Sequence, residues 1–166
     1  MEDTLSPIEV LDIAKQIERN GVAFYRKAAE LFEDPTPRTL FLALAQRELE
    51  HEMVFADMQK LLLENDDIEP APQHQDEPSS PKAIAGLAVF GITHEPAGHL
   101  AGDETFAEIL KMAIVKEKDS VVFYTGLKSF VSDDKGIETI SDIIQEEMRH
   151  IRLLSENLAQ TQNTTA

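Results

Sequence analysis

The chain has 166 residues and a mass of 18.5 kDa, the size of one compact domain. Its 31 Asp and Glu outnumber 15 Lys and Arg, a formal net charge of -16 that disfavours nucleic acid and anionic membranes as partners and favours cations. It contains no Cys, which excludes disulfides, Cys-ligated zinc and Cys-held iron from these 166 residues.

The first seven residues, Met1 to Pro7, carry neither a basic n-region nor an apolar h-region, so no signal peptide is expected. The longest apolar stretch, Ala83–Ile92, is too short to span a bilayer, and a soluble cytoplasmic protein is expected. Helical periodicity starts at Ser6, an N-cap with Pro7 at the first helical position and Glu9 completing a capping box. The first helix is predicted to run to about Phe32, where Glu33-Asp34-Pro35-Thr36-Pro37 stops it. The second is predicted over about 38–64. A connection follows over 65–104, first acidic and Pro-rich, then apolar and Gly-rich, with a short edge-covering helix as one reading of its apolar part. A connection this long inside one domain suits a bundle whose middle crossover spans the bundle length. The third helix opens near Thr105, with Glu108 completing a second capping box, and ends near Val131. The fourth is predicted over about 137–159, before a polar tail, 160–166, that should fray.

The two halves repeat. Glu18 and Glu117 are 117 − 18 = 99 residues apart, and Glu48-x-x-His51 and Glu147-x-x-His150 share that offset, 147 − 48 = 99. Ser6 and Thr105, and Glu9 and Glu108, share it too. The chain is therefore one domain made of two copies of a helical hairpin, about 6–64 and about 105–159, which can pack about a pseudo-twofold axis.

On each helix an apolar stripe at intervals of three and four is interrupted near its middle by a carboxylate: Glu18, Glu48, Glu117 and Glu147. His51 and His150 follow one turn after Glu48 and Glu147 on the same faces. Four carboxylates in a bundle core repel one another and resist burial, unless cations join them. Two divalent ions balance four carboxylates and two neutral imidazoles. One Glu from each of two helices plus Glu-x-x-His from the other two is the ligand set of di-iron and di-manganese carboxylate bundles. The oxygen-rich set favours iron, with manganese as the second option. His74, His94 and His99 lie in the connection without a Glu three residues before them and are read as surface residues. Glu50, Glu52 and Glu146 lie off the stripes and are read as solvated. Tyr25 and Tyr124 stand two turns after Glu18 and Glu117, with a bond to a ligand carboxylate, a redox role and core packing all open.

With Glu18, Glu48-x-x-His51, Glu117 and Glu147-x-x-His150 in place, the chain resembles the rubrerythrin-like branch of the ferritin-like superfamily. Ile17 to Glu30 and Glu48-Leu49-Glu50-His51-Glu52 look like that family's first and second helices. The resemblance covers both hairpins and leaves the connection unmatched. It implies an all-α, up-down-down-up ferritin-like bundle with a non-haem di-iron centre, in which ferrous iron reacts with hydrogen peroxide or oxygen. Glu18 and Glu117 would then be mainly terminal ligands, Glu48 and Glu147 bridges, with one ion on each of His51 and His150. Two departures stand out. Without Cys these residues hold no rubredoxin centre, so any electron donor is expected to be a separate molecule. The family's further third-helix Glu is here Ser120. The expected activity is therefore peroxide reduction or ferroxidation, with iron carriage or storage without turnover as the alternative. A metal-free helical interaction module is the third reading. A homodimer is expected, and the long connection would allow two chains to exchange hairpins.

Overall fold

The sequence places a hydroxyl N-cap and a Glu three residues later ahead of two apolar-striped segments, and both start helices in the way this chemistry dictates. In the computed structural model, which describes residues 6–64 and 100–164 (without the side chains of residues 162 and 164), α1 spans Pro7–Glu30 and α3 spans Phe106–Leu127. The Ser6 hydroxyl accepts from the Glu9 backbone N–H at 3.3 Å, and the Glu9 carboxylate accepts from the Ser6 N–H at 2.7 Å. Thr105 and Glu108 repeat the arrangement at 3.3 and 2.8 Å. Each box satisfies backbone donors that the first turn leaves without a helical partner.

The other two helices start earlier than expected. Helix α2 spans Pro35–Glu64 and α4 spans Asp134–Thr164. Proline was expected to end one helix and delay the next, but the N–H groups of a first turn have no helical acceptor, so Pro35 and Pro37 cost α2 nothing there. Asp34 supports the start by accepting from the Thr36 N–H at 2.8 Å. Asp133, 133 − 34 = 99 residues on, does the same for the Gly136 N–H at 2.7 Å. Helix α1 ends at Glu30 rather than Phe32, and α3 ends at Leu127, followed by a 3-10 turn over Lys128–Phe130. The tail expected to fray continues α4 to Thr164. The proposed short helix in the connection, His74, His94 and His99 lie outside the described residues.

Contacts between helices fix their directions. Lys15 reaches Gln59 at 2.5 Å and Arg19 reaches Glu52 at 2.5 Å, so α1 and α2 form an antiparallel hairpin. Tyr25 meets Glu117 and Tyr124 meets Glu18, so α1 and α3 are antiparallel. His51 lies by Glu147, and His150 by Glu48, so α2 and α4 are antiparallel as well. Up-down-down-up is the order that satisfies all three relations, and it makes α2 and α3 parallel. A parallel pair needs a crossover along the bundle, which accounts for the length of the connection.

Two apolar clusters fill the interior. One contains Phe24, Tyr25, Phe41, Leu44, Ile109, Leu110 and Leu154, and Leu100 joins it just before α3. The other contains Leu11, Phe55, Phe123, Tyr124, Leu127, Ile140 and Ile143. Phe24 with Phe123, and Tyr25 with Tyr124, again differ by 99. The repeat thus gives the bundle two equivalent apolar plugs, with the polar interruption of each stripe left between them.

Candidate metal centre

All six predicted residues come together between the two plugs, and all six are buried: Glu18 and Glu147 are 0% exposed, and His150, the most exposed, is 7%. They form two overlapping groups whose ligand atoms lie within 4.8 Å of one another: Glu18, Glu48, His51 and Glu147, and then Glu48, Glu117, Glu147 and His150. Glu48 and Glu147 belong to both groups. Glu18 and His51 belong to one, Glu117 and His150 to the other. Both imidazoles aim Nδ1 inward. His51 Nδ1 is 3.0 Å from Glu147 Oε1 and 3.7 Å from Glu18 Oε2. His150 Nδ1 is 2.9 Å from Glu147 Oε2, 3.6 Å from Glu117 Oε2 and 3.7 Å from Glu48 Oε1.

Hydrogen bonds tie the cluster to the helices around it. The Tyr25 hydroxyl donates to Glu117 Oε1 and the Tyr124 hydroxyl donates to Glu18 Oε1. Of the three readings open for these tyrosines, the carboxylate bond and the core packing both describe their contacts. Burial, and then the facing carboxylates Glu117 and Glu18 respectively, hold both phenols well above their usual pKa, so they remain donors. Phe41 stacks on Tyr25 at 6.2 Å and Phe55 packs on Tyr124 at 5.0 Å, which fixes each ring.

Three contacts depart from expectation or add to it. Glu146, read as solvated, is partly covered, and His51 Nε2 lies 3.1 Å from its Oε2, so the outer N–H of His51 donates to it. That bond directs the lone pair of a neutral His51 inward through Nδ1. Glu52, also read as solvated, is mostly covered in its ion pair with Arg19. Glu50 is exposed as expected and pairs with Arg47 at 2.8 Å. Gly21 on α1 lies against Glu48. A Cβ there would lie 2.5 Å from Glu48 Oε2, so the absence of a side chain lets Glu48 lie against α1.

The electrostatics show how much strain four acids impose. Burial raises Glu48 well above the usual carboxylate range, and Glu117, Glu18 and Glu147 add to the shift. Burial also raises Glu18, against the pull of His51. Glu117 is pushed up to about 8 by burial and by Glu147. Glu147 moves the other way: burial opposes its charge, but His150 and His51 hold it below the usual range. Burial also opposes charge on His51, which Glu147 and Glu18 nevertheless raise to about 11. For His150 burial again acts downward, and Glu117 and Glu147 raise it to about 9. The shifts favour protons on the metal-free cluster, with the Glu147 carboxylate lying between the two imidazoles. The compensation is incomplete. Glu18 Oε2, Glu48 Oε1, His51 Nδ1 and Glu147 Oε1 are buried without an aligned hydrogen bond among the described residues. His51 Nδ1 and Glu147 Oε1 attract at 3.0 Å without the alignment of such a bond. Four inward-facing donor atoms left in this way fit a pair of cations in place of the protons.

In three dimensions the chain is similar to a crystallographically solved protein from Thermotoga maritima, proposed to be a ferritin-like diiron-carboxylate protein. The TM-score is 0.69 at 24% sequence identity, covering 97% of this chain and 99% of that one. The likeness defines the fold as a ferritin-like four-helix bundle. No protein-family model and no curated protein matches the sequence.

Proposed function

We propose that this chain is a carboxylate-bridged di-iron protein whose ferrous ions react with hydrogen peroxide or oxygen. The observation that carries the reading is the pair of overlapping four-residue groups that share Glu48 and Glu147. Glu18 and His51 would hold one ion and Glu117 and His150 the other, with Glu48 and Glu147 available to both. The carboxylate-rich donor set favours iron over a thiophilic metal, with manganese next. The diiron-carboxylate assignment of the Thermotoga maritima protein supports iron.

When bound, two ferrous ions supply two electrons, which with two protons reduce one hydrogen peroxide to two waters. The chain's own residues prepare the site for that chemistry. Tyr25 and Tyr124 each occupy one oxygen of Glu117 and Glu18, so the other oxygen faces the cluster. The two apolar plugs exclude bulk water from either end. Glu146 holds His51 in the tautomer that presents Nδ1 to an ion.

Anaerobic protein loaded with ferrous iron should consume about one peroxide per pair of ions, faster than free ferrous iron does. Carriage or storage uses the same ligands and predicts bound iron with no such acceleration. Absence of any bound iron would remove both readings.

A further inference from the structure

Outside the cluster, a cleft of about 300 Å³ opens between α2 and α4. Its walls include Glu50 on α2 and Thr139, Asp142 and Glu146 on α4, and its inner end is His51. His51 is only 4% exposed, yet it bridges the two compartments. Its Nε2 faces Glu146 in the cleft, and its Nδ1 faces the unpartnered oxygens of Glu18 and Glu147 within.

The repeat offers an internal control for what this face is for. Subtracting or adding 99 takes Glu146 to Arg47, Glu50 to Arg149, Asp142 to Ala43 and Thr139 to Leu40. The three carboxylates beside His51 thus become two arginines and an alanine at the positions related to His150. The repeat therefore keeps the six inner residues but not the charges that flank them on α2 and α4. Arg47 and Arg149 lean toward Glu50 and Glu146, at 2.8 and 3.4 Å, and at 56% and 61% exposure both pairs are well hydrated. Such pairs screen the carboxylates weakly.

We propose that divalent cations enter the cluster from one side, through the acidic cleft of Glu50, Asp142 and Glu146, past the His51 ring to the oxygens of Glu18 and Glu147. The inference rests on the metal reading above and adds the route. A negative cleft raises the local concentration of cations and their association rate, and salt suppresses that gain.

Stopped-flow mixing of the metal-free protein with Co²⁺, followed by its visible absorption, tests the route. The double variant Glu50→Gln with Asp142→Asn should bind about tenfold more slowly at low salt, with the difference shrinking at high salt and the final stoichiometry unchanged. Thr139→Arg, which sets a cation in the cleft wall, should slow uptake in the same way. A variant losing two charges elsewhere, Glu30→Gln with Asp103→Asn, should bind at the wild-type rate. Wild-type rates in both cleft variants, or equal slowing in the remote variant, would overturn the route while leaving the metal reading intact. Failure of wild-type protein to take up Co²⁺ at all would overturn both.

Discussion

Tyr25 on α1 donates its hydroxyl hydrogen to Glu117 on α3, and the repeat returns the bond from Tyr124 to Glu18. Each hairpin therefore orients a carboxylate of the other. Tyr25→Phe or Tyr124→Phe leaves a buried carboxylate oxygen without its donor, a loss of about 1–3 kcal/mol. Urea unfolding of the metal-free variants should show it. Metal binding should weaken too, because the freed carboxylate is no longer aligned. An unchanged unfolding midpoint would show that the tyrosines only fill space.

Glu146 acts on one half of the cluster. Removing the partner of a ligating imidazole typically costs 10–100-fold in metal affinity, so Glu146→Ala should lower affinity by about that factor for one ion and spare the other. Calorimetric titration of wild type and variant would resolve the two steps. Equal weakening of both would argue that Glu146 acts through general charge.

Gly21 predicts a separation of binding from stability. Alanine at this position places a methyl group 2.5 Å from Glu48 Oε2 and forces the carboxylate to move. The same change favours the helix by up to about 1 kcal/mol, which offsets the crowding. Gly21→Ala should therefore weaken metal binding markedly while the unfolding midpoint of metal-free protein changes little. Ser120, its counterpart at 120 − 21 = 99, already carries a side chain, so Ser120→Ala should leave binding near wild type.

The protonation of the cluster gives a pH dependence with a definite sign. Glu117 is raised to about 8, so its contribution to metal-free stability is present below its ordinary value of 4.5 and is lost as pH rises toward about 8. His51 and His150 are raised to about 11 and about 9, so theirs is present below 6.5 and lost through that higher range. Metal-free protein should lose stability as pH increases from about 5 to about 9, whereas metal affinity should increase because fewer protons need to leave. Urea midpoints with and without metal at several pH values would show the two curves diverging. Parallel curves would contradict the assignment of the cluster as the metal site.

Much of this was legible in the chain itself. The 99-residue offset and the two capping boxes exposed the paired hairpins, and the interrupted stripes marked the six residues that the structure gathers. What escaped depends on neighbouring helices. Glu146 lies off the stripe of its own helix, and only the approach of α2 brings His51 to it. Gly21 has no side chain to mark it in the sequence, and only the approach of Glu48 from α2 gives it a role. Pro35 and Pro37 looked like breakers because a proline's cost depends on whether its position owes a hydrogen bond, and in a first turn it does not.

The proposed function requires the six residues to hold two metal ions in each chain, with Glu48 and Glu147 available to both. Elemental analysis of protein expressed with ample iron, alongside Glu48→Ala and Glu147→Ala, tests it most directly. Two metal ions per wild-type chain are expected, iron foremost, with metal lost from the folded variants because each substitution would remove a carboxylate common to both four-residue groups. Wild-type protein free of metal after iron-replete expression, or full metal content in both variants, would contradict it.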